Sequence, residues 1–313
     1  MIALTGYTGF LGSVLLKELE PNNVLLLGRK TLPEYPNFSS FDLTDTTTLE
    51  LQDSLSTVDV LVHSAARVHI MNDSAVNPLT EFRAANTFGT ISLAKQAAKA
   101  GVRRFIFVSS IKVNGESTTG RLPYNATDQY APEDPYGISK AEAEQQLLEL
   151  GEHTGMEIVI IRPPLVYGEG VKANFASLMR LVGKGLPLPF RLVKNNKRSL
   201  VSVYNLVDLI KVCIEHPNAA NQVFLASDDH DLSTAEMVAL MAKVQNKPNL
   251  AIPLPVWCFK LAGKLLGKQA VIDRLTGSLQ LDIAHTKNTL NWSPPFPVEH
   301  GFELAAKSFR KNS

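Results

Sequence analysis

Cysteine is scarce. Only Cys213 and Cys258 occur in 313 residues, both in apolar stretches and neither at metal-ligand spacing. That excludes a disulfide framework and a cysteine-built metal centre, and it favours a reduced, cytoplasmic compartment. Neither sign of charge is in excess: 31 basic against 30 acidic side chains leave +1, so the chain carries no basic footprint for nucleic acid. Long apolar runs are missing too. The stretch from Val256 to Leu266 is the nearest approach, and it is too short and too rich in lysine for stable membrane insertion. An interfacial helix and a lobe helix both fit that stretch, the lobe helix better. There is no internal repeat and no low-complexity tail. A strand pattern begins at Met1, leaving no room for a signal peptide. What remains is an ordinary globular composition, 45% hydrophobic and 19% charged, with ample length for a large core.

The stretch around which the rest is organised comes first. Met1-Ile2-Ala3-Leu4-Thr5 is a short apolar run, and Gly6-Tyr7-Thr8-Gly9-Phe10-Leu11-Gly12 follows at once. Apolar residues at helical spacing come next, so the glycines lie between a buried strand and a helix, the setting of a dinucleotide-binding loop. Gly6 permits the tight turn, Gly9 lets the backbone approach a pyrophosphate, and Gly12 allows close helix–strand packing. First-turn N–H groups then face the phosphates. The spacing is G-x-x-G-x-x-G, a variant of the commoner fingerprint. A ligand-free glycine turn would show the same residues, but its position at the first strand–helix junction argues for the nucleotide.

Strand and helix patterns then alternate. Val24–Leu27, Phe38–Leu43, Val58–His63, Phe105–Ser110 and Ile158–Arg162 read as strands. Thr46–Leu55, Pro78–Ala100 and Tyr136–Leu150 read as helices, and Pro163-Pro164 ends the last strand. Apolar strands alternating with helices predict a doubly wound, Rossmann-type α/β fold with a parallel sheet covered on both faces. Residues 1–165 form the expected NAD(P)-binding domain. Residues 166–313 are expected mostly as a smaller substrate-binding lobe, with Leu200–Val203 and Gln222–Ala226 as candidates to rejoin the sheet. Helices are expected over Phe175–Lys184, Val207–Glu215 and Val256–Leu266, and Ser233 to Glu236 has capping-box spacing.

A second motif carries chemistry. Tyr136 and Lys140 stand four apart at a helix start and so share one face. An ammonium beside a phenol favours the phenolate, so Lys140 is expected to lower the pKa of Tyr136. Alone this pair would usually be a solvated helix face. Ser109-Ser110, however, ends the preceding strand, where α/β sheets gather their ligands. The three make a hydride-transfer site. Ser110 orients the reacting oxygen, Tyr136 is acid or base, and Lys140 tunes Tyr136 and holds a nicotinamide ribose.

With these residues in view the chain resembles the extended short-chain dehydrogenase/reductases, in their nucleotide-sugar epimerase/dehydratase branch. The carriers run in family order from the glycine loop through Asp42-Leu43, His63-Ser64-Ala65-Ala66, Asn86-Thr87-Phe88-Gly89-Thr90, Val108-Ser109-Ser110 and Tyr136-x-x-x-Lys140 to Arg162-Pro163-Pro164-Leu165-Val166-Tyr167-Gly168. They span almost the whole chain. The resemblance implies that Gly6, Gly9, Phe10, Leu11 and Gly12 hold the cofactor's phosphates, Asp42 and Leu43 flank its adenine, Ala65 and Ala66 its centre, and Pro163 its nicotinamide. Asn86 corresponds to a structural asparagine. Asn174 and Arg198 would meet the diphosphate of a UDP-sugar substrate, and Arg274 stands near a further arginine position but displaced from it. The helices Pro78–Ala100 and Tyr136–Leu150 would pair two copies into a homodimer.

Departures from the family pattern refine this. Where many relatives have an acid after the second strand, Gly28-Arg29-Lys30 stands here. Arg29 would welcome the 2′-phosphate of NADP, whereas stacking of Arg29 on adenine would leave NAD, so the cofactor is NADP or NAD. Asn114 replaces a usual tyrosine. With Arg67-Val68-His69-Ile70-Met71-Asn72-Asp73 it resembles a narrower group from bacterial O-antigen and capsule clusters. The leading expectation is therefore reduction of a UDP-4-keto-6-deoxy-N-acetylhexosamine, with a UDP-GlcNAc or UDP-glucose 4-epimerase as the alternative. A dehydratase is disfavoured because Ile111-Lys112 follows Ser110 where that branch has an acid pair, and a non-catalytic sensor because Tyr136 and Lys140 are both present.

Overall fold

The computed structural model describes residues 1–45, 51–68, 77–265, 267 and 269–310. The short apolar runs form β1 (Ile2–Thr5), β2 (Val24–Gly28), β3 (Asn37–Ser40), β4 (Val60–His63), β5 (Arg104–Val108) and β6 (Glu157–Arg162). After a separate pair, β7 (Leu165–Tyr167) and β8 (Leu200–Ser202), comes β9 (Gln222–Leu225). Seven strands make one parallel sheet in the order β3-β2-β1-β4-β5-β6-β9. Of the two candidates to rejoin it, Gln222–Leu225 does. Leu200–Ser202 does not: it pairs with β7, a strand hidden from sequence reading behind Pro163-Pro164.

Side chains alternate across a strand, so each strand feeds two cores. Leu4, Leu26, Val62 and Ile106 enter one; Ala3, Leu25, Leu61 and Phe105 enter the other. The helices covering them are α1 (Phe10–Leu16), α2 (Gln52–Leu55), α3 (Pro78–Phe82), α4 (Thr90–Lys99) and α5 (Pro135–Thr154). Between α3 and α4 the chain widens into a π-helical turn, Arg83–Gly89. Thr46–Glu50, the first half of the expected Thr46–Leu55 helix, and His69–Asp73 lie outside the described residues. Each fully buried leucine or phenylalanine contributes about 2 kcal/mol.

The later chain adds α6 (Ala173–Gly183), α7 (Val203–Glu215), α8 (Thr234–Val244), α9 (Val256–Leu265), α10 (Gln269–Thr276), α11 (Ala284–Leu290) and α12 (Val298–Arg310). The Ser233–Glu236 capping box is formed at the start of α8. α7 lies on the sheet face shared with α1, its C-terminal carbonyls capped by buried Arg104, which donates to Cys213 at 2.6 Å and His216 at 3.0 Å. A third core, around Tyr167, Phe175, Met179, Met241 and Phe302, holds α6, α8 and α12 together. Among the described residues no helix is long and apolar enough to cross a membrane.

Candidate active site

The strand order reverses between β1 and β4, and a parallel sheet opens a crevice at that point. Gly6 turns the chain there with φ +71°, a left-handed conformation, and a side chain on it would press to 2.6 Å from the Ala65 nitrogen. Gly9 donates to the Gly6 carbonyl at 2.8 Å, and Phe10, Leu11 and Gly12 open α1. The strand ends are laced together. Thr5 Oγ1 meets His63 Nδ1 at 2.7 Å, Ser64 donates to the Thr5 carbonyl at 2.7 Å, and His63 Nε2 reaches Thr90 at 3.0 Å. Burial, with Lys140 nearby, pushes the His63 pKa down to about 3, so it stays a neutral hydrogen-bonding bridge.

A cavity of about 280 Å³ opens here, and Gly6, Arg29, Asp42, Leu43, Ala65 and Ala66 all line it. Arg29 is 79% exposed and lies 3.8 Å from Asp42. The Asp42 carboxyl sits below its usual range, chiefly because the Thr44 backbone N–H and hydroxyl donate to it, with Arg29 adding less. The Tyr7 hydroxyl, missed in the sequence, donates to the Lys30 carbonyl and closes the floor beside Gly28. Small residues, a positive-φ glycine turn and one exposed arginine suit the adenosine-diphosphate half of a dinucleotide, so the residues present fit the expected cofactor.

The catalytic side follows along β5. Ser110 caps a short 3₁₀ turn, Ile111–Val113, whose Ile111 N–H bonds the Pro163 carbonyl at 3.0 Å, which sets Pro163 beside Ser110. Asp134 caps α5, accepting from Gly137 N–H at 2.7 Å. Gly137 allows α5 to approach the turn: a Cβ there would lie 2.8 Å from the Lys112 carbonyl oxygen. Tyr136 thereby comes beside Ser110, whose hydroxyl favours the ionised phenol.

Lys140 does not lower the Tyr136 pKa in this state. Burial first, and the Asp134 charge second, push the phenol up, while the Ser110 bond only partly opposes them. The Lys140 ammonium instead donates to the Val108 carbonyl at 2.9 Å and lies over the Phe107 ring at 4.2 Å. Burial pushes its pKa down to about 7, with Glu144 opposing.

Glu144 is the residue sequence reasoning missed. It stands one turn beyond Lys140 and is fully buried. It accepts from the Ser109 hydroxyl and pairs with buried Arg162 of β6 at 2.6 Å. Arg162 donates onward to Asn114 Oδ1 at 3.1 Å. Lys140 and Glu144 thus bond two consecutive residues, Val108 and Ser109, at the end of one strand, with Tyr136 beside Ser110. The available signal was a carboxylate continuing the four-residue spacing of Tyr136 and Lys140. Asn86, in the π-helical turn, holds the Ala66–Arg67 segment against α5 through Arg67 N–H at 2.8 Å and Ser139 at 3.1 Å.

On the lobe side, Arg198 and Arg274 come within electrostatic reach of each other. Burial, and then the Arg274 charge, lower the Arg198 pKa to about 10, with Glu116 opposing. Arg274 lines a cavity of about 480 Å³ together with Glu116, Lys260 and Gly277. Asn174 is exposed in the first turn of α6 and does not line that cavity.

Comparison with known proteins agrees with this geometry. Residues 2–226 match the model of the NAD dependent epimerase/dehydratase family. A UDP-glucose 4-epimerase of Vibrio cholerae is 54% identical over 98% of this chain and 95% of its own. Among solved structures, UDP-glucose 4-epimerase of Thermotoga maritima with UDP-glucose superposes with a TM-score of 0.79 at 22% identity, covering 99% of both chains. UDP-glucuronic acid 4-epimerase of Bacillus cereus in complex with NAD gives 0.78 at 19% identity, again over 99% of both. With a matching fold, a nucleotide cleft at the switch point and the Ser110–Tyr136–Lys140 set in place, the chain belongs to the NAD-dependent epimerase/dehydratase family, whose members are nicotinamide-dependent enzymes acting on nucleotide sugars.

Proposed function

We propose that the protein is a UDP-hexose 4-epimerase, acting on UDP-glucose or its N-acetylamino counterpart with its cofactor retained through the cycle. The observation that carries this is the 54% identity, over nearly the full length of both chains, to the Vibrio cholerae UDP-glucose 4-epimerase. It supports the epimerase alternative above the reductase reading, which rests on Arg29 and on the subgroup resemblance carried by Asn114 and Arg67–Asp73. When bound, the nicotinamide supplies an acceptor that takes a hydride from C4 and returns it.

The chain's own residues do the rest. Ser110, beside Tyr136, orients the sugar 4-oxygen, and Tyr136 removes its proton and later gives it back. The phenol needs a nearby positive charge to ionise. Lys140 is placed one turn away to supply it. Glu144, the carboxylate bonded to Ser109, is committed to Arg162, and Asp134 and Glu116 are tied to Lys112, which leaves the elimination of a dehydratase without a free acid pair. Arg198 and Arg274 bring two guanidinium charges within reach of each other, which suits a substrate diphosphate. Asn174 is assigned to the same diphosphate through the family motif. Phe88, 58% exposed on the π-helical turn, supports pairing of two copies through α3–α4 and α5, and a monomer in size exclusion at micromolar concentration would remove that pairing.

The test is to analyse the cofactor released on denaturation beside two assays. Conversion of UDP-glucose to UDP-galactose without net change in reduced cofactor is the expected result. Stoichiometric loss of NADPH or NADH with a UDP-4-keto-6-deoxy amino sugar, and none with UDP-glucose, would replace the epimerase by a reductase.

A further inference from the structure

The helices α9 and α10 turn the wrong side outward. Along α9, Phe259 stacks on Phe190 at 5.7 Å and Gly263 packs against Ile272 of α10, so these positions face inward. On the opposite side, Trp257, Leu261 and Leu265 repeat every four residues as one stripe and are exposed, Trp257 by 66% and Leu265 by 77%. Val271 of α10 is exposed as well. Lys260 and Lys264 flank it, both exposed. Between Gln245 and Ile272 the sequence has four lysines and no acidic residue, within a chain whose overall charge is +1.

We infer that this face docks on an anionic lipid surface. An apolar stripe with a tryptophan, bordered by lysines on a short helix, buries its apolar side among acyl chains while the ammonium groups reach the phosphates. A second copy of this chain is the poorer occupant, because a two-fold contact would set the same lysine-rich patch against itself. The nearest acids, Glu116, Glu133 and Asp273 of α10 itself, line the neighbouring cavity. That cavity shares Lys260 and Arg274 with the hairpin. Docking would bring the mouth of the substrate side to the lipid headgroups while the sheet stays in solution. The inference stands apart from the choice of sugar substrate.

The protein carries its own reporter. Of its two tryptophans, Trp292 is buried and donates to Asp208 at 2.7 Å, so a change in emission on docking reports Trp257. The full chain is mixed with vesicles of phosphatidylethanolamine and phosphatidylglycerol, or of phosphatidylcholine alone, and followed by flotation and tryptophan emission. The expected result is flotation with the phosphatidylglycerol vesicles, a blue shift, and loss of both as salt rises. The double variant Leu261→Glu/Leu265→Glu should lose both at unchanged melting temperature and unchanged turnover of soluble UDP-glucose. Lys264→Ala should lower partition about fivefold, the effect of one lysine near an anionic surface. Failure of the wild type to float, equal flotation of the double variant, or equal partition onto phosphatidylcholine would overturn the inference. So would a blue shift that follows protein concentration without vesicles, which would assign the face to a second copy.

Discussion

The two sides of the cleft are built on opposite plans. On the candidate catalytic side, Tyr136, Lys140 and Glu144 descend one face of α5, Lys140 and Glu144 are bonded to the end of β5 with Tyr136 beside it, and Arg162 locks the set from β6. On the lobe side, α9 and α10 leave Trp257, Leu261 and Leu265 exposed. Proton transfer requires hydroxyls held within a few tenths of an ångström in a water-poor setting. Recognition of a large diphosphate, or of a surface, requires charge and area, which the α9–α10 hairpin can supply. The contrast teaches that buried polar bonds are concentrated where chemistry needs them.

The comparison breaks most sharply at Tyr136. Tyr136→Phe should keep the fold and the bound cofactor and reduce turnover about 10²–10⁴-fold, because only the proton-transfer group is gone. Near-normal activity would remove Tyr136 from the mechanism. Next comes Glu144→Gln, which leaves Arg162 charged and buried without its partner, at a cost of about 3–5 kcal/mol in urea unfolding. The double variant Glu144→Leu/Arg162→Met removes both charges and should recover most of that stability. Ser109 would still lack its acceptor, so kcat should stay low by about tenfold while KM and cofactor content hold. Full kcat in the double variant would mean that the pair serves stability alone.

Much of the first half was legible because its rules are local. Alternation of apolar runs with helical spacing set the strands and helices, and the glycine loop set the crevice. The Tyr136–Lys140 spacing marked the catalytic face. What escaped is instead decided by distant partners. Nothing near Glu144 in sequence announces Ser109, 35 residues away. The pKa of Tyr136 goes up rather than down because burial and Asp134 outweigh a lysine engaged with Val108. β8 finds β7 rather than the main sheet, a pairing no periodicity distinguishes. The lobe helix over Val256–Leu265 was readable as a helix, but which of its faces is inward depended on Phe190 and Ile272.

His63 offers a gentler way to separate the two regions, because it belongs to the laced strand ends alone. Its folded pKa, about 3, lies below the ordinary value of 6.5, so the unfolded chain takes up the proton first. Its stabilising contribution is complete above pH 6.5 and is lost progressively as pH falls toward 3. Between pH 6.5 and about pH 5 this amounts to about 2 kcal/mol. Urea titrations at the two pH values should show that loss in the wild type and a smaller one in His63→Gln. Equal losses would assign the acid sensitivity to other groups.

The smallest effect belongs to the lobe. Arg274 stands on α10, exposed, where its charge reaches Arg198 across the cavity edge. Arg274→Ala should raise KM for UDP-glucose about tenfold, the worth of one charge-assisted bond. It should leave kcat within about twofold, because binding lost equally in ground state and transition state does not slow the chemical step. The melting temperature should move little, since the side chain is exposed. Arg274→Lys should recover part of the loss, keeping the charge without the forked geometry. If KM is unchanged in the alanine variant, Arg274 plays no part in binding the diphosphate, and Arg198 carries the anion alone from its half-buried position beside Gly277.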